Sequence, residues 1–217
     1  MSTAAARHQR LHSELRGRIC LLDYPPGTKL SEEALAGEFG TSRTPLRRVL
    51  ARLEDEGLLE SRHGIGTLVT DVDMALMAQV YDLRLHLAAL AGQLDPLPVT
   101  PGVRAEIRDF VTRGEALLAA PDPRAFAALN SAYHRFGLSL TGNAPLRETA
   151  ARLYYLTARI WLTSITRLDL AAESEIFTRE IAQIGEAVRL GDTQAAATIR
   201  QAHISLCVTR LRQFAQE

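Results

Sequence analysis

Leu11, Leu15, Ile19 and Leu22 recur at three- and four-residue spacing, which predicts a helix that "DYPPGT" stops with its Pro and Gly. In "KLSEEALAGEFG", Ser31 reads as an N-cap, two glutamates occupy the first turn, and Gly40 is a C-terminal stop. "TSRTPLRRVLARLEDEG" predicts the next helix, with Ser42 as N-cap, Pro45 in the first turn and Gly57 as its end. "LLESRHGIGTLVT" then changes period and reads as two short strands around a Gly-containing turn.

Beyond about residue 74 strand signals vanish. Helical patterns run over roughly 74–94, 101–120, 123–141, 145–168, 173–190 and 193–215. "DPLPVTP", "APDP", "TGNAP", "LDLAA" and "LGD" separate them. The fold class is mainly α: an N-terminal winged helix-turn-helix with a short hairpin wing over 1–73, and an all-α bundle over 74–217.

Placed at about 100° per residue, the helix over 43–56 splits into two faces. Leu46, Val49, Leu50 and Leu53 form the apolar one. Thr44, Arg47, Arg48 and Ala51 lie opposite, flanked by Arg43 and Arg52. One reading is a solvated amphipathic helix, as most charge runs are. Charge order argues for another. Acids stabilise a helix N-terminus and bases its C-terminus, whereas here the arginines come first and Glu54, Asp55 and Glu56 follow. That order suits an N-terminal half approaching phosphates, where the free N–H groups also favour anions. A helix, the tight turn "GTS" and a second helix form the arrangement whose second helix enters the major groove. His63, Gly64 and Gly66 would then tip a wing close to the DNA backbone or minor groove, although "HGIG" also reads as a plain hairpin turn.

Composition sharpens this by what it withholds. Lys plus Arg total 25 and Asp plus Glu total 25, so net charge gives no general reason to meet a polyanion, and DNA binding must come from local charge. Hydrophobic residues at 47% argue against disorder. Cys20 and Cys207 form no metal or redox motif and read as reduced thiols. No stretch approaches the roughly 18–20 apolar residues of a membrane span, and none resembles a signal peptide. The expectation is a soluble, cytoplasmic protein with no membrane partner.

"PPGTKLSEEALAGEFGTSRTPLRRVLARLEDEGLLESRHGIGTLV" resembles the winged helix-turn-helix of GntR-type bacterial transcription regulators, and the resemblance spans residues 19–70. The helical remainder is similar to the FCD effector domain of the same superfamily. "YDLRLHLAALA", "NSAYHRFGLSLTGN" and "GDTQAAATIRQAHI" carry that likeness. The resemblance implies a homodimeric, non-enzymatic regulator, most simply a repressor, that binds a palindromic double-stranded operator. A small metabolite, often a carboxylate, would tune its affinity. It implies DNA contacts from Arg43, Thr44, Arg47, His63, Gly64 and Gly66. Arg48 departs from the family pattern, where an acid is common, and is expected to add phosphate affinity.

Many FCD domains hold a divalent metal with one Asp and three His, so the resemblance raises zinc, nickel or manganese as a cofactor. Here the ligand slots hold Asn130, His134 and His203, while the fourth falls on Ile181 or, by one residue, Glu180. An acid has become an amide and one His is missing, which weakens a metal site. Each survivor also has a plainer role. His203 sits among apolar positions as core histidines do, and Ile181 belongs to the Phe177/Ile181/Ile184/Val188 core stripe. Asn130 and His134 lie off the Phe126/Leu129/Tyr133/Phe136/Leu140 stripe, on a face that lines a polar cavity or meets water. The expected effector contacts are Arg84, Asn130, His134, Arg159 and His203, the arginines pairing with a carboxylate or serving only as surface ion-pair residues. Two further readings stay open: a regulator whose helical domain is purely structural, and a metal-dependent enzyme, for which no positioned base or nucleophile is evident.

Overall fold

The computed structural model describes residues 3–164 and 169–214. The tails of two expected helices, 165–168 and 215, therefore lie outside the described residues. The chain forms two compact units, Met1–Asp73 and Met74–Glu217.

The first unit opens with α1 (Thr3–Cys20), which buries Leu11, Leu15 and Ile19. Leu22 does not continue that stripe. It leaves the helix with φ at 60°, and the chain turns through "DYPPGT". α2 (Glu32–Glu38) begins where the Ser31 hydroxyl accepts from the Ala34 N–H, and Gly40 at φ 56° ends the segment. α3 (Arg43–Asp55) packs Leu46, Val49, Leu50 and Leu53 inward, as its periodicity requires.

Three strands follow the pattern, not two. β2 (Leu59–Arg62) and β3 (Gly66–Val69) form the expected antiparallel hairpin, and β1 (Lys29–Leu30) adds to the free edge of β3, giving the order β1-β3-β2. Two residues carry too little alternation to announce a strand. β1 exists because Leu30 needs cover and β3 offers unpaired backbone groups.

The second unit comprises α4 (Met74–Leu90), α5 (Pro101–Ala119), α6 (Pro123–Ser139), α7 (Ala144–Ser164), α8 (Leu170–Leu190) and α9 (Thr193–Phe214). Thr100, Asp122 and Asp169 cap α5, α6 and α8 through their side chains. The Asp169 cap explains why α8 starts three residues before its apolar pattern does. α4 stops at Leu90, short of the expected 94. The chain that follows is tied down: Leu97 N–H donates to Leu140 C=O at 2.8 Å, Gly142 N–H donates to Asp95 C=O at 2.8 Å, and Pro96 bridges Thr141. Two breaks in the pattern thus pair with each other.

The core lies mainly between α5, α6 and α8, with Trp161 of α7 and Ala196 of α9 closing it. Phe110, Phe126, Tyr133, Phe136, Phe177 and Trp161 form its aromatic centre, with Phe126 stacked on Trp161 at 4.4 Å. Ile181 is fully buried in it. Gly92 allows the end of α4 to meet the start of α9: a Cβ there would lie 2.8 Å from the Thr193 carbonyl oxygen and 2.8 Å from the Ala197 Cβ.

Candidate nucleic-acid interface and ligand cavity

The polar face of α3 is exposed along its length at Arg43, Thr44, Arg47, Arg48 and Ala51. Ser42 stands at the N-cap position with an extended backbone, but its side chain makes no cap hydrogen bond. The first-turn N–H groups are thus left without the side-chain acceptor that usually meets them, and such groups bind phosphate oxygens well.

α2 supplies acids to two of the arginines. Arg47 Nε donates to Glu32 Oε2 at 2.7 Å, and Arg43 Nη2 lies 3.5 Å from Glu33 Oε2. Both arginines remain about two-thirds exposed, and exposed pairs of this kind are worth little and exchange readily. Arg48 makes no ion pair among the described residues. Arg52, also exposed, is held by Glu56 at 3.2 Å and by Gln9 at 3.2 Å, which directs it toward α1.

The trailing acids of α3 have structural work. Glu54 accepts from the Ser61 N–H at 2.8 Å and the Ser61 hydroxyl at 3.1 Å, joining α3 to β2. Glu56 Oε1 lies 2.9 Å from Nε2 of the fully buried His12, with Arg16 at 3.7 Å. Burial alone would raise the Glu56 carboxyl, but the His12 hydrogen bond and the nearby cations hold it below the usual carboxylate range. Asp55 stays exposed.

At the wing, His63, Gly64, Ile65 and Gly66 are all exposed, with φ at 74° for Gly64 and 114° for Gly66. Both glycines sit where side chains are strained. A Cβ on Gly66 would meet Lys29 Cε at 3.4 Å. β1 therefore brings the chain's single lysine beside the wing, a cation that the periodicity did not place there.

The helical unit contains two neighbouring cavities, of about 70 and 60 Å³, with Arg84, Arg200 and Ile204 lining both. Arg84 is buried. Its Nη1 donates to Thr157 Oγ1 at 2.5 Å, and its guanidinium lies 4.9 Å from the Tyr81 ring and 5.1 Å from the Tyr154 ring. No carboxylate pairs with it among the described residues, and burial depresses its pKa. Burial likewise pushes the Tyr81 hydroxyl up to about 12, keeping it a neutral hydrogen-bonding group.

Arg200, from α9, is more fully engaged. Its Nη1 donates to Glu180 Oε1 at 2.5 Å, its Nη2 lies 3.5 Å from Asn130 Oδ1, and its charge sits 5.4 Å from the Tyr133 ring. Burial opposes its charge, but Glu180 outweighs that and raises its pKa. Arg210 grips Glu173 with two bonds, at 2.6 and 2.8 Å.

Comparison with known proteins fits both units. Residues 7–69 match the model of the bacterial regulatory proteins of the gntR family, and residues 79–206 match the FCD domain. The chain belongs to the GntR family and carries an FCD domain. It is 34% identical over 199 residues to an uncharacterized HTH-type transcriptional regulator in an unstable DNA locus of Streptomyces ambofaciens, covering 89% of this chain and 80% of that one. It is 28% identical over 183 residues to a probable D-xylose utilization operon transcriptional repressor of Paenarthrobacter nicotinovorans, covering 83% and 78%. Among solved structures, E. coli McbR/YncC superposes with a TM-score of 0.78 at 18% identity, over 98% of this chain and 99% of that one. The chain is thus a GntR-family DNA-binding transcription regulator with an FCD effector-binding domain.

Within this GntR regulator the sequence-derived effector residues are dispersed. His134 lines the first cavity, its ring stacked on Tyr154 at 3.9 Å. Asn130 and His203 line the second, and His203 Nε2 bonds Gln183 Oε1 at 3.0 Å. Burial lowers the His203 pKa. Arg159 lines neither cavity, although it is 98% buried. Its helix instead turns Thr157, Ala158 and Trp161 toward the second cavity. The expectation that Arg84 and Arg159 are either surface ion-pair residues or carboxylate contacts is corrected in part: neither is on the surface.

The same residues do not fit a divalent metal. Among the described residues no three His, Cys, Asp or Glu side chains stand close enough to hold one. The Asn130 and Glu180 oxygens face the Arg200 guanidinium, and Ile181 is core. Arg200 is the residue that sequence reasoning missed. It lies one helical turn before His203, on the same side of α9, which is the only sequence signal it gives.

Proposed function

We propose that this protein is a homodimeric repressor that binds a palindromic operator and is modulated by a small organic acid held in the FCD domain. The observation that carries the DNA reading is α3 itself: an exposed face with Arg43, Thr44, Arg47 and Arg48 above first-turn amides that Ser42 does not cap. Arg47 and Thr44 are assigned to base edges or adjacent phosphates, Arg48 to phosphate, and His63, Gly64 and Gly66 to the wing contact. Repression is supported by the likeness to the P. nicotinovorans repressor. Two-fold assembly follows from how helix-turn-helix proteins read paired half-sites. A protein that works on chromosomal DNA acts in the cytoplasm.

The organic-acid reading rests on Arg84, a buried cation in a cavity wall with no carboxylate of its own. An entering acid would supply that charge and bias the bundle between states that set the spacing of the two recognition helices.

Fluorescence anisotropy on DNA from upstream of the protein's own gene tests the DNA reading. Binding should weaken steeply with salt, and Arg47→Ala should cost about tenfold or more, in line with one lost bidentate contact. Arg52→Ala should change little. Salt-insensitive binding that Arg47→Ala leaves intact would sink this reading.

A further inference from the structure

Charge around the two cavities does not balance. Three guanidiniums, on Arg84, Arg200 and Arg210, face two carboxylates, on Glu173 and Glu180. Both carboxylates are already committed, to Arg210 and Arg200. One positive charge, that of Arg84, is left over in a buried wall, where an uncompensated ion is costly. A second observation falls in the same wall. Tyr133 is 97% buried, and its hydroxyl has no hydrogen-bond partner among the described residues. Tyr133, Arg84 and Arg200 all line the first cavity. The rest of that cavity is mostly aliphatic, with Leu87, Ala88, Leu138, Ala150, Ile184 and Ala197 among its walls.

We propose that the first cavity is a metal-independent receptor for a small monoanionic carboxylate with an apolar body. Arg84 and the Tyr133 hydroxyl hold the carboxylate, and Arg200 serves as a resident cation where related domains are expected to hold a metal. This deepens the organic-acid reading above and rests on it. One missing negative charge selects a monoanion. A second carboxylate would have to displace Glu180 from Arg200 or lie unpaired among aliphatic side chains. Arg200 stands against Asn130 and Glu180, whose oxygens a metal would need, so the guanidinium and a divalent ion compete for one place. His134, stacked on Tyr154 in the same wall, limits the body of the ligand from the α6 side.

The test uses the full-length protein after exhaustive EDTA treatment, with hexanoate, its neutral amide hexanamide and the dianion adipate as probes in calorimetry and thermal melting. Hexanoate should bind the metal-stripped protein, and adipate and hexanamide should bind about tenfold or more weakly, as expected for a lost charge-assisted contact. Tyr133→Phe should fold normally and weaken hexanoate about tenfold, while shifting hexanamide less. Because Arg200→Met alone would strand Glu180, the paired variant Arg200→Met/Glu180→Gln is also measured. It keeps Arg84 and should lose affinity for hexanoate without gaining any for zinc. Binding that EDTA abolishes and zinc or manganese restores would overturn the proposal, as would tighter binding of adipate or an unchanged Tyr133→Phe. Those outcomes leave an organic-acid effector standing. No response to any of the three probes overturns both readings, while operator anisotropy on the same samples reports the DNA function independently.

Discussion

His12 and Glu56 show how one buried polar pair holds the N-terminal unit together. His12 is fully buried on α1 and reaches the last acid of "EDE" on the far end of α3, linking two helices that the apolar stripe alone brings together only approximately. Glu56 is held below its ordinary range by His12, Arg16 and Arg52 against the opposing pull of burial. A carboxyl depressed in the folded state contributes stability above its unfolded pKa and loses it as pH falls through the folded one. Glu56→Gln should therefore melt earlier than the wild type near neutral pH, and the difference should shrink below about pH 4, near the ordinary carboxylate value. Parallel thermal melts across that range check it. A gap that stays constant with pH would show that the pair contributes packing and not charge. The same residue scale separates the four arginines of α3. Arg52 belongs to this internal network, while Arg43, Arg47 and Arg48 remain outward.

At the scale of the element, α3 is less stable at its start than it need be. Supplying the missing cap with Ser42→Asp should raise stability by about 1 kcal/mol. The same substitution puts a negative charge where phosphate is expected, so DNA affinity should fall as melting temperature rises. Paired melting and anisotropy measurements would detect that opposition, and a rise in both would place the DNA elsewhere. The α4–α9 junction offers a second case. Gly92→Ala drives a methyl group into the Thr193 carbonyl and Ala197, at a cost of about 1–3 kcal/mol in chemical denaturation. Because Thr193, Ala196 and Ala197 wall the first cavity, the substitution should weaken its ligand as well. Elements were legible in the sequence where one helix face buried a long stripe, as in α3, α6 and α8. The short β1, the cap-determined start of α8 and the pairing of the 96 and 141 segments were not. β1 and the 96–141 pairing depend on hydrogen bonds between residues distant in the chain, and the start of α8 on a cap bond three residues long, none of which apolar periodicity reports.

For the whole molecule, the surface proposed to face DNA was legible as an exposed arginine face from charge order along a single helix. The cavity was legible only through resemblance, and imperfectly. Arg200 acquires its role from Glu180 and Asn130, twenty and seventy positions away, so its spacing to His203 is all that distinguishes it locally from the other arginines of a neutral chain. That neutrality has a consequence at the DNA. Glu32 and Glu33 sit beside Arg47 and Arg43 and act as built-in competitors for the same guanidiniums. If this face meets DNA as proposed, a random stretch of chromosome would have to displace them for a modest electrostatic return, whereas the operator would add directional bonds that favour the exchange. The two glutamates would thus shorten the time lost on wrong sites more than they weaken the right one. In Glu32→Gln/Glu33→Gln, affinity for scrambled DNA should rise about three- to tenfold at low salt, with a smaller gain for operator. Competition anisotropy between the two DNAs measures the ratio, and an equal gain on both would mean that the acids do not discriminate. Fast release from the wrong sequence would then be a property of the free protein's own ion pairs, written into the surface before any DNA arrives.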